Sequence, residues 1–130
     1  GGRGAEVRAT GVRGVRRAGP MVVEESFGPL APILRISDLD DAITLANSTA
    51  YGLSSGVVTE DIGSAMRCVK ELRTGTVNVN QVPGFRIECS PFGGVKESGI
   101  GRVSGEMGLR SYCHAQSIVI DRFGSKSEPL

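Results

Sequence analysis

The chain has 130 residues, a net charge of +1 and 39% hydrophobic residues. This length predicts one domain, and the balanced charge gives no support for a polyanionic partner. Because the sequence has no run of about 18 apolar residues and no apolar signal-peptide region, we expect a cytoplasmic protein without a membrane partner.

Residues 1–20 carry six glycines and five arginines with little periodicity. We expect a poorly ordered Gly/Arg-rich arm there, with a weak edge strand around Val12 and Val15 as the alternative. No aromatic residue interrupts these arginines, so the arm lacks a platform for stacking bases, and nucleic-acid binding is disfavoured. Residues 21–123 form the predicted folded domain, and residues 124–130 a frayed tail.

Three short strands alternate with two helices in the folded domain. The strands are predicted at 31–36, 54–60 and 76–80. Ser37 to Asp40 resembles a capping box at the start of the first helix, with an acid three residues after the cap, and Asp61 can cap the second helix. The β-α-β-α-β order predicts an α/β fold with a mainly parallel sheet. Ligands of such sheets gather at the carboxyl ends of the strands, which directs attention to the loop at 81–90.

Beyond this loop, residues 91–102 form a glycine-rich run. Its spacing does not match a P-loop, and its glycines predict close backbone passages. A short helix at 105–112 and a closing strand at 117–120 complete the predicted elements.

The cysteines Cys68, Cys89 and Cys113 are odd in number and form no CxxC pair. This spacing predicts reduced thiols rather than a disulfide framework or a metal site.

Residues 24–29, with the sequence EESFGP, place two acids and an aromatic ring at a bend. A carboxylate suits a pair of ribose hydroxyls, and an aromatic side chain suits a flat ring. The alternative is a charged turn at the end of an edge strand.

Four motifs, in order, closely resemble the carboxyl-terminal part of the NAD(P)-dependent aldehyde dehydrogenase superfamily. They are EESFGP at 24–29, ANSTAYGL at 46–53, TGTVNVN at 74–80 and PFGGVKESGIGR at 91–102. The resemblance implies an oxidoreductase that converts a small aldehyde to a carboxylic acid with NAD or NADP. It further implies that Glu25 holds the ribose, that Phe27 lies against the nicotinamide, and that Phe85, Arg86 and Phe92 line the substrate channel.

The family's catalytic motifs, Gly-Gln-x-Cys and Glu-Leu-Gly-Gly, do not occur in the chain. No catalytic residue is therefore assigned, and we expect a carboxyl-terminal fragment that is inactive alone. We expect this fragment to form a homo-oligomer or to bind a complementary amino-terminal part. The alternative is a non-catalytic interaction module, because residues 117–120 resemble the family's oligomerisation strand.

Two positions inside the matched region depart from the family. Val103 stands where an acid is common, and His114 stands where a glutamate often pairs with an arginine at the place of Arg102. For Arg86, binding of an anionic aldehyde and pairing with Glu88 remain open alternatives.

Overall fold

The computed structural model describes residues 7–121. Its elements, in chain order, are β1 (Thr10–Arg13), α1 (Pro20–Val23), β2 (Leu30–Ile33), α2 (Leu39–Asn47), β3 (Ser54–Val57), α3 (Ile62–Glu71), β4 (Thr76–Val79), a 3₁₀ turn (Lys96–Ser98) and α4 (Gly105–Arg110). The outer part of the predicted arm, at 1–6, and the predicted tail lie outside the described residues.

The strands pair in parallel, as the β-α-β-α-β order predicts, so the α/β fold class is confirmed. β1 pairs with β2, and β3 pairs with β4, as two separate two-stranded sheets. β1 lies within the segment predicted as a poorly ordered arm. It includes Val12, where the alternative placed an edge strand. Pro32 lies within β2, where its missing amide hydrogen suits a strand that is bonded on one side.

The two longer helices begin at aspartate caps: α3 is capped by Asp61, as predicted, whereas α2 is capped by Asp38 and not by Ser37. The Asp38 carboxylate accepts from the Asp41 amide at 2.8 Å, and the Asp61 carboxylate accepts from the Ser64 amide at 2.7 Å. At their far ends the helices are joined by Asn47, whose side chain donates to the Glu71 carbonyl at 2.8 Å and accepts from the Arg73 amide at 2.7 Å. These side-chain bonds fix the direction in which the chain enters β4.

The hydrophobic core is small. Among the described residues the buried hydrophobic side chains are Ile43 of α2 and Ala65 and Cys68 of α3. The chain has an accessible surface of 11004 Å², whereas a folded monomer of its mass exposes about 6,600 Å². Much apolar surface is therefore uncovered.

The predicted closing strand at 117–120 is wrong for this structure, in which these residues form no strand. Ile118, Val119 and Ile120 are 76%, 92% and 68% exposed. A strand needs a neighbour that accepts and donates its backbone hydrogen bonds, and the described part of the chain places none beside this segment. The preceding helix, α4, is two residues shorter than predicted. Within residues 7–121, no helix has the length and apolar character required to span a membrane.

Candidate functional site

A cavity of about 90 Å³ lies between β4 and the loop that follows it. Its lining residues are Thr76, Asn78, Phe85, Arg86, Ile87, Ser90, Pro91 and Phe92. The structure thus brings together Phe85, Arg86 and Phe92, the three side chains predicted to line a substrate channel. They meet beside a strand of the parallel sheet, in the loop where ligands of such sheets are expected.

Arg86 is held between an aromatic ring and a hydroxyl group. Its guanidinium lies over the Phe92 ring, 4.0 Å from the centroid, and its Nη2 donates to Ser104 Oγ at 3.3 Å. A cation over an aromatic face is attracted by the ring quadrupole. Among the salt bridges of the described residues, none joins Arg86 to Glu88. Most of the five N–H donors of the guanidinium therefore remain available to a ligand.

Asn78 holds the loop that carries Phe85 and Arg86. Its Nδ2 lies 3.2 Å from the carbonyl oxygens of Val82 and Pro83 and 3.4 Å from that of Phe85. The side chain of a strand residue thus contacts three backbone carbonyl groups at the start of the loop. Sequence reasoning missed this role, although Asn78 lies only three residues before the loop at 81–90.

The glycine-rich run passes close to the start of β4, as its glycines predict. A Cβ atom added to Gly75 would lie 1.6 Å from the carbonyl oxygen of Gly93. Just before Gly93, Phe92 forms an antiparallel bridge with Val103, with both backbone hydrogen bonds at 2.8 Å. The backbone on either side of the Phe92 ring is therefore fixed, which positions the ring beneath Arg86.

A second cavity, of about 590 Å³, includes Glu25. Its polar lining also contains Ser54, Ser55, Thr74, Glu97 and Ser98. Phe27 does not line this cavity and is 96% exposed. The structure therefore places one of the two predicted cofactor residues, Glu25, at a cavity and leaves the ring of the other, Phe27, in solvent.

The three thiols occupy different environments. Cys68 is buried within α3, whereas Cys89 and Cys113 are exposed. The described residues contain no group of three or more His, Cys, Asp or Glu side chains placed to hold a metal ion. A buried thiol behaves chiefly as a small hydrophobic side chain, so Cys68 belongs to the core.

Comparison with known proteins gives a consistent match over most of the chain. The model of the aldehyde dehydrogenase family matches residues 1–118. A sulfoacetaldehyde dehydrogenase from Neptuniibacter caesariensis is 38% identical over 117 residues, which is 90% of this chain and 26% of that protein. A lactaldehyde dehydrogenase from Methanococcus maripaludis is 43% identical over 96 residues, covering 74% of this chain and 21% of that protein.

Solved structures give the same match. A salicylaldehyde dehydrogenase from Pseudomonas putida G7, in complex with salicylaldehyde, superimposes with a TM-score of 0.88 at 31% identity, covering 95% of this chain and 26% of that one. A betaine aldehyde dehydrogenase from Staphylococcus aureus, in complex with NAD+, superimposes with a TM-score of 0.76 at 38% identity, covering 80% of this chain and 20% of that one. The chain thus spans about a quarter of the length of these relatives.

Proposed function

Because the chain belongs to the aldehyde dehydrogenase family, we propose that it supplies the carboxyl-terminal part of an enzyme that oxidises an aldehyde to a carboxylic acid with NAD or NADP. The observation that carries this proposal is the joint placement of Phe85, Arg86 and Phe92 around one cavity. These side chains form a wall of the substrate channel. The complete enzyme is cytoplasmic. In it the chain either assembles with copies of itself or binds a complementary amino-terminal part.

Glu25 and Phe27 contact the nicotinamide end of the cofactor. Glu25 lines a cavity of about 590 Å³, and the two oxygens of its carboxylate suit a pair of ribose hydroxyl donors. The Phe27 ring is 96% exposed, so its face is open to another flat ring. NAD(P), when bound, would supply the hydride acceptor, with Glu25 holding its ribose and Phe27 lying against its nicotinamide ring.

The chain alone is inactive in this proposal. Covalent oxidation of an aldehyde requires an activated thiolate, and hydrolysis of the acyl intermediate requires a positioned base. The sequence contains neither family motif for these groups, and Cys68 is buried away from both cavities. The nucleophile and the base therefore come from the complementary part.

The preferred substrate is a small aldehyde with an anionic group. Arg86 presents a planar fork of donors at the cavity, and such a fork binds a carboxylate or sulfonate through charge-assisted hydrogen bonds. Two relatives, a sulfoacetaldehyde dehydrogenase and a lactaldehyde dehydrogenase, support a small polar substrate. The Phe92 ring orients the fork by stacking against it.

Reconstitution tests this function. The chain is mixed with the amino-terminal part of the Neptuniibacter caesariensis relative, and NADH absorbance is followed with sulfoacetaldehyde as substrate. We expect activity in the mixture that neither part shows alone. Phe27→Ala should raise the KM for NAD, whereas Ile100→Ala, at a residue that is 100% exposed, should leave it unchanged. Absence of any gain on mixing, with a complex demonstrated by light scattering, would contradict the proposal.

The interaction module remains the alternative. It predicts assembly through the exposed residues Ile118, Val119 and Ile120 without any gain of activity. The family match over residues 1–118 supports the enzyme rather than this module. Light scattering of the chain over a wide concentration range tests this alternative, because a persistent monomer is incompatible with a self-assembling module.

A further inference from the structure

A third cavity, of about 510 Å³, lies at the end of the β1–β2 pair. Its lining includes three arginines, Arg13, Arg17 and Arg35, beside the apolar side chains of Val15, Ile33 and Leu34. It shares no lining residue with the two cavities of the proposed dehydrogenase site, and none of its lining residues is acidic. The site is therefore separate and strongly basic.

The parallel pairing of β1 and β2 explains why the arginines meet. Arg13 is in register with Ile33, so both strands end at the same edge. Gly14, with a φ of +72°, turns the chain after β1 in a backbone conformation that residues other than glycine rarely adopt. Arg17 then follows on one side, and Arg35 follows β2 on the other. Carboxyl ends of parallel strands are a common place for ligands.

Of the three guanidiniums, one is committed to a protein partner. Arg17 pairs with both carboxylate oxygens of Asp41, and its Nη2 donates to the Arg35 carbonyl oxygen at 3.1 Å. Within residues 7–121, the guanidiniums of Arg13 and Arg35 have neither a hydrogen-bond nor an ion-pair partner. The cavity thus has two positive charges without a compensating anion.

We propose that this cavity binds the phosphate group of a small organic phosphate. A phosphate monoester carries close to two negative charges at neutral pH, which matches the two uncompensated guanidiniums. Guanidinium forks bind phosphate oxygens in a bidentate manner. Arg17, which is paired with Asp41, also donates to the Arg35 carbonyl oxygen. The volume lies in the range of small-molecule sites, and Val15, Ile33 and Leu34 offer apolar contacts to the organic part of the ligand.

Calorimetric titration of the full chain tests the site without aldehyde or NAD(P), so its result is independent of the dehydrogenase proposal. The probes are glucose 6-phosphate, inorganic phosphate and, as the uncharged comparison, glucose. We expect saturable one-to-one binding of the phosphate compounds and none of glucose. Each lost guanidinium should raise the Kd roughly tenfold to a hundredfold, so the double variant Arg13→Gln/Arg35→Gln should bind very weakly.

Arg16→Gln is the matched control, because Arg16 is an exposed arginine of the same segment that does not line the cavity. It should bind like the unaltered chain. Arg35→Lys keeps the charge but loses the fork, and it should weaken binding less than Arg35→Gln, which keeps the test informative if the double variant does not fold. Absence of saturable binding, or equal weakening by Arg16→Gln, would overturn the proposal. Tighter binding of single-stranded RNA that depends equally on Arg13, Arg16 and Arg35 would also overturn the proposal, because such binding indicates a diffuse basic surface.

Discussion

The guanidinium of Arg86 stacks over the ring of Phe92 at 4.0 Å. The Phe92 backbone is itself bonded in both directions to Val103, with each hydrogen bond at 2.8 Å. The Arg86 guanidinium is thus stacked on a ring whose backbone is held by a bridge to Val103. An oriented fork distinguishes a carboxylate or sulfonate from an uncharged group more sharply than a mobile ammonium does.

Arg86→Gln should selectively impair oxidation of anionic aldehydes in the reconstituted enzyme. Removing a charge-assisted hydrogen bond should raise the KM for sulfoacetaldehyde about tenfold or more. The KM for an uncharged aldehyde of similar size should change little, because this substrate has no group for the guanidinium. Steady-state NADH formation with the two substrates measures the difference. Arg73→Gln, at an exposed arginine outside the cavity, is the control. Equal increases for both aldehydes would show that Arg86 supports the loop instead of selecting the substrate.

Gly75→Ala should prevent the glycine-rich run from packing against the start of β4. The added Cβ would lie 1.6 Å from the Gly93 carbonyl oxygen, so one of the two backbones must move. We expect loss of the reconstituted activity and weaker amide protection in β4. Gly84→Ala is the matched control, since a Cβ there meets nothing within 4 Å. If the two variants behave alike, the close approach does not position the cavity.

Local signals predicted the fold better than they predicted the site. Asp61 is recognisable because a helix cap acts over three residues, whereas for the first helix the same kind of signal indicated Ser37, one residue before the observed cap, Asp38. β1 was only an alternative, since Thr10–Arg13 is short, contains a glycine and gains its order from pairing with β2, twenty residues away. The contact of Arg86 with Ser104 joins residues 18 positions apart, so the sequence pattern alone does not reveal it, whereas Asn78 contacts residues only four to seven positions further along the chain.

The Arg17–Asp41 pair should make the start of α2 sensitive to acid. The Arg17 guanidinium, followed by the Ser37 amide at 3.0 Å, holds the pKa of the Asp41 carboxyl well below its usual range. The unfolded carboxyl titrates near about 3.9. Stabilisation from the depressed pKa is therefore present above that pH and is lost as the pH falls toward the folded pKa.

An NMR titration of the Asp41 carboxyl, with amide exchange at Ser37, measures this effect. Arg17→Gln should move the Asp41 midpoint up toward the usual value and should weaken protection of the Ser37 amide. Arg16→Gln removes the same charge from the neighbouring position and should leave the midpoint in place. A midpoint near the usual value in the unaltered chain would contradict the pairing in solution.

The isolated chain should unfold without a sharp transition. Its accessible surface of 11004 Å² is about 1.7 times that of a typical folded monomer of its mass. The buried hydrophobic side chains among the described residues, Ile43, Ala65 and Cys68, contribute little burial compared with the conformational entropy lost by the chain. Parallel sheets are normally covered on both faces, so the complementary part should supply the missing cover. Calorimetry should show a broad, weak transition for the chain alone and a cooperative one for the reconstituted mixture. A single sharp transition in the isolated chain would mean that the two strand pairs and the helices α2 and α3 form a sufficient core by themselves.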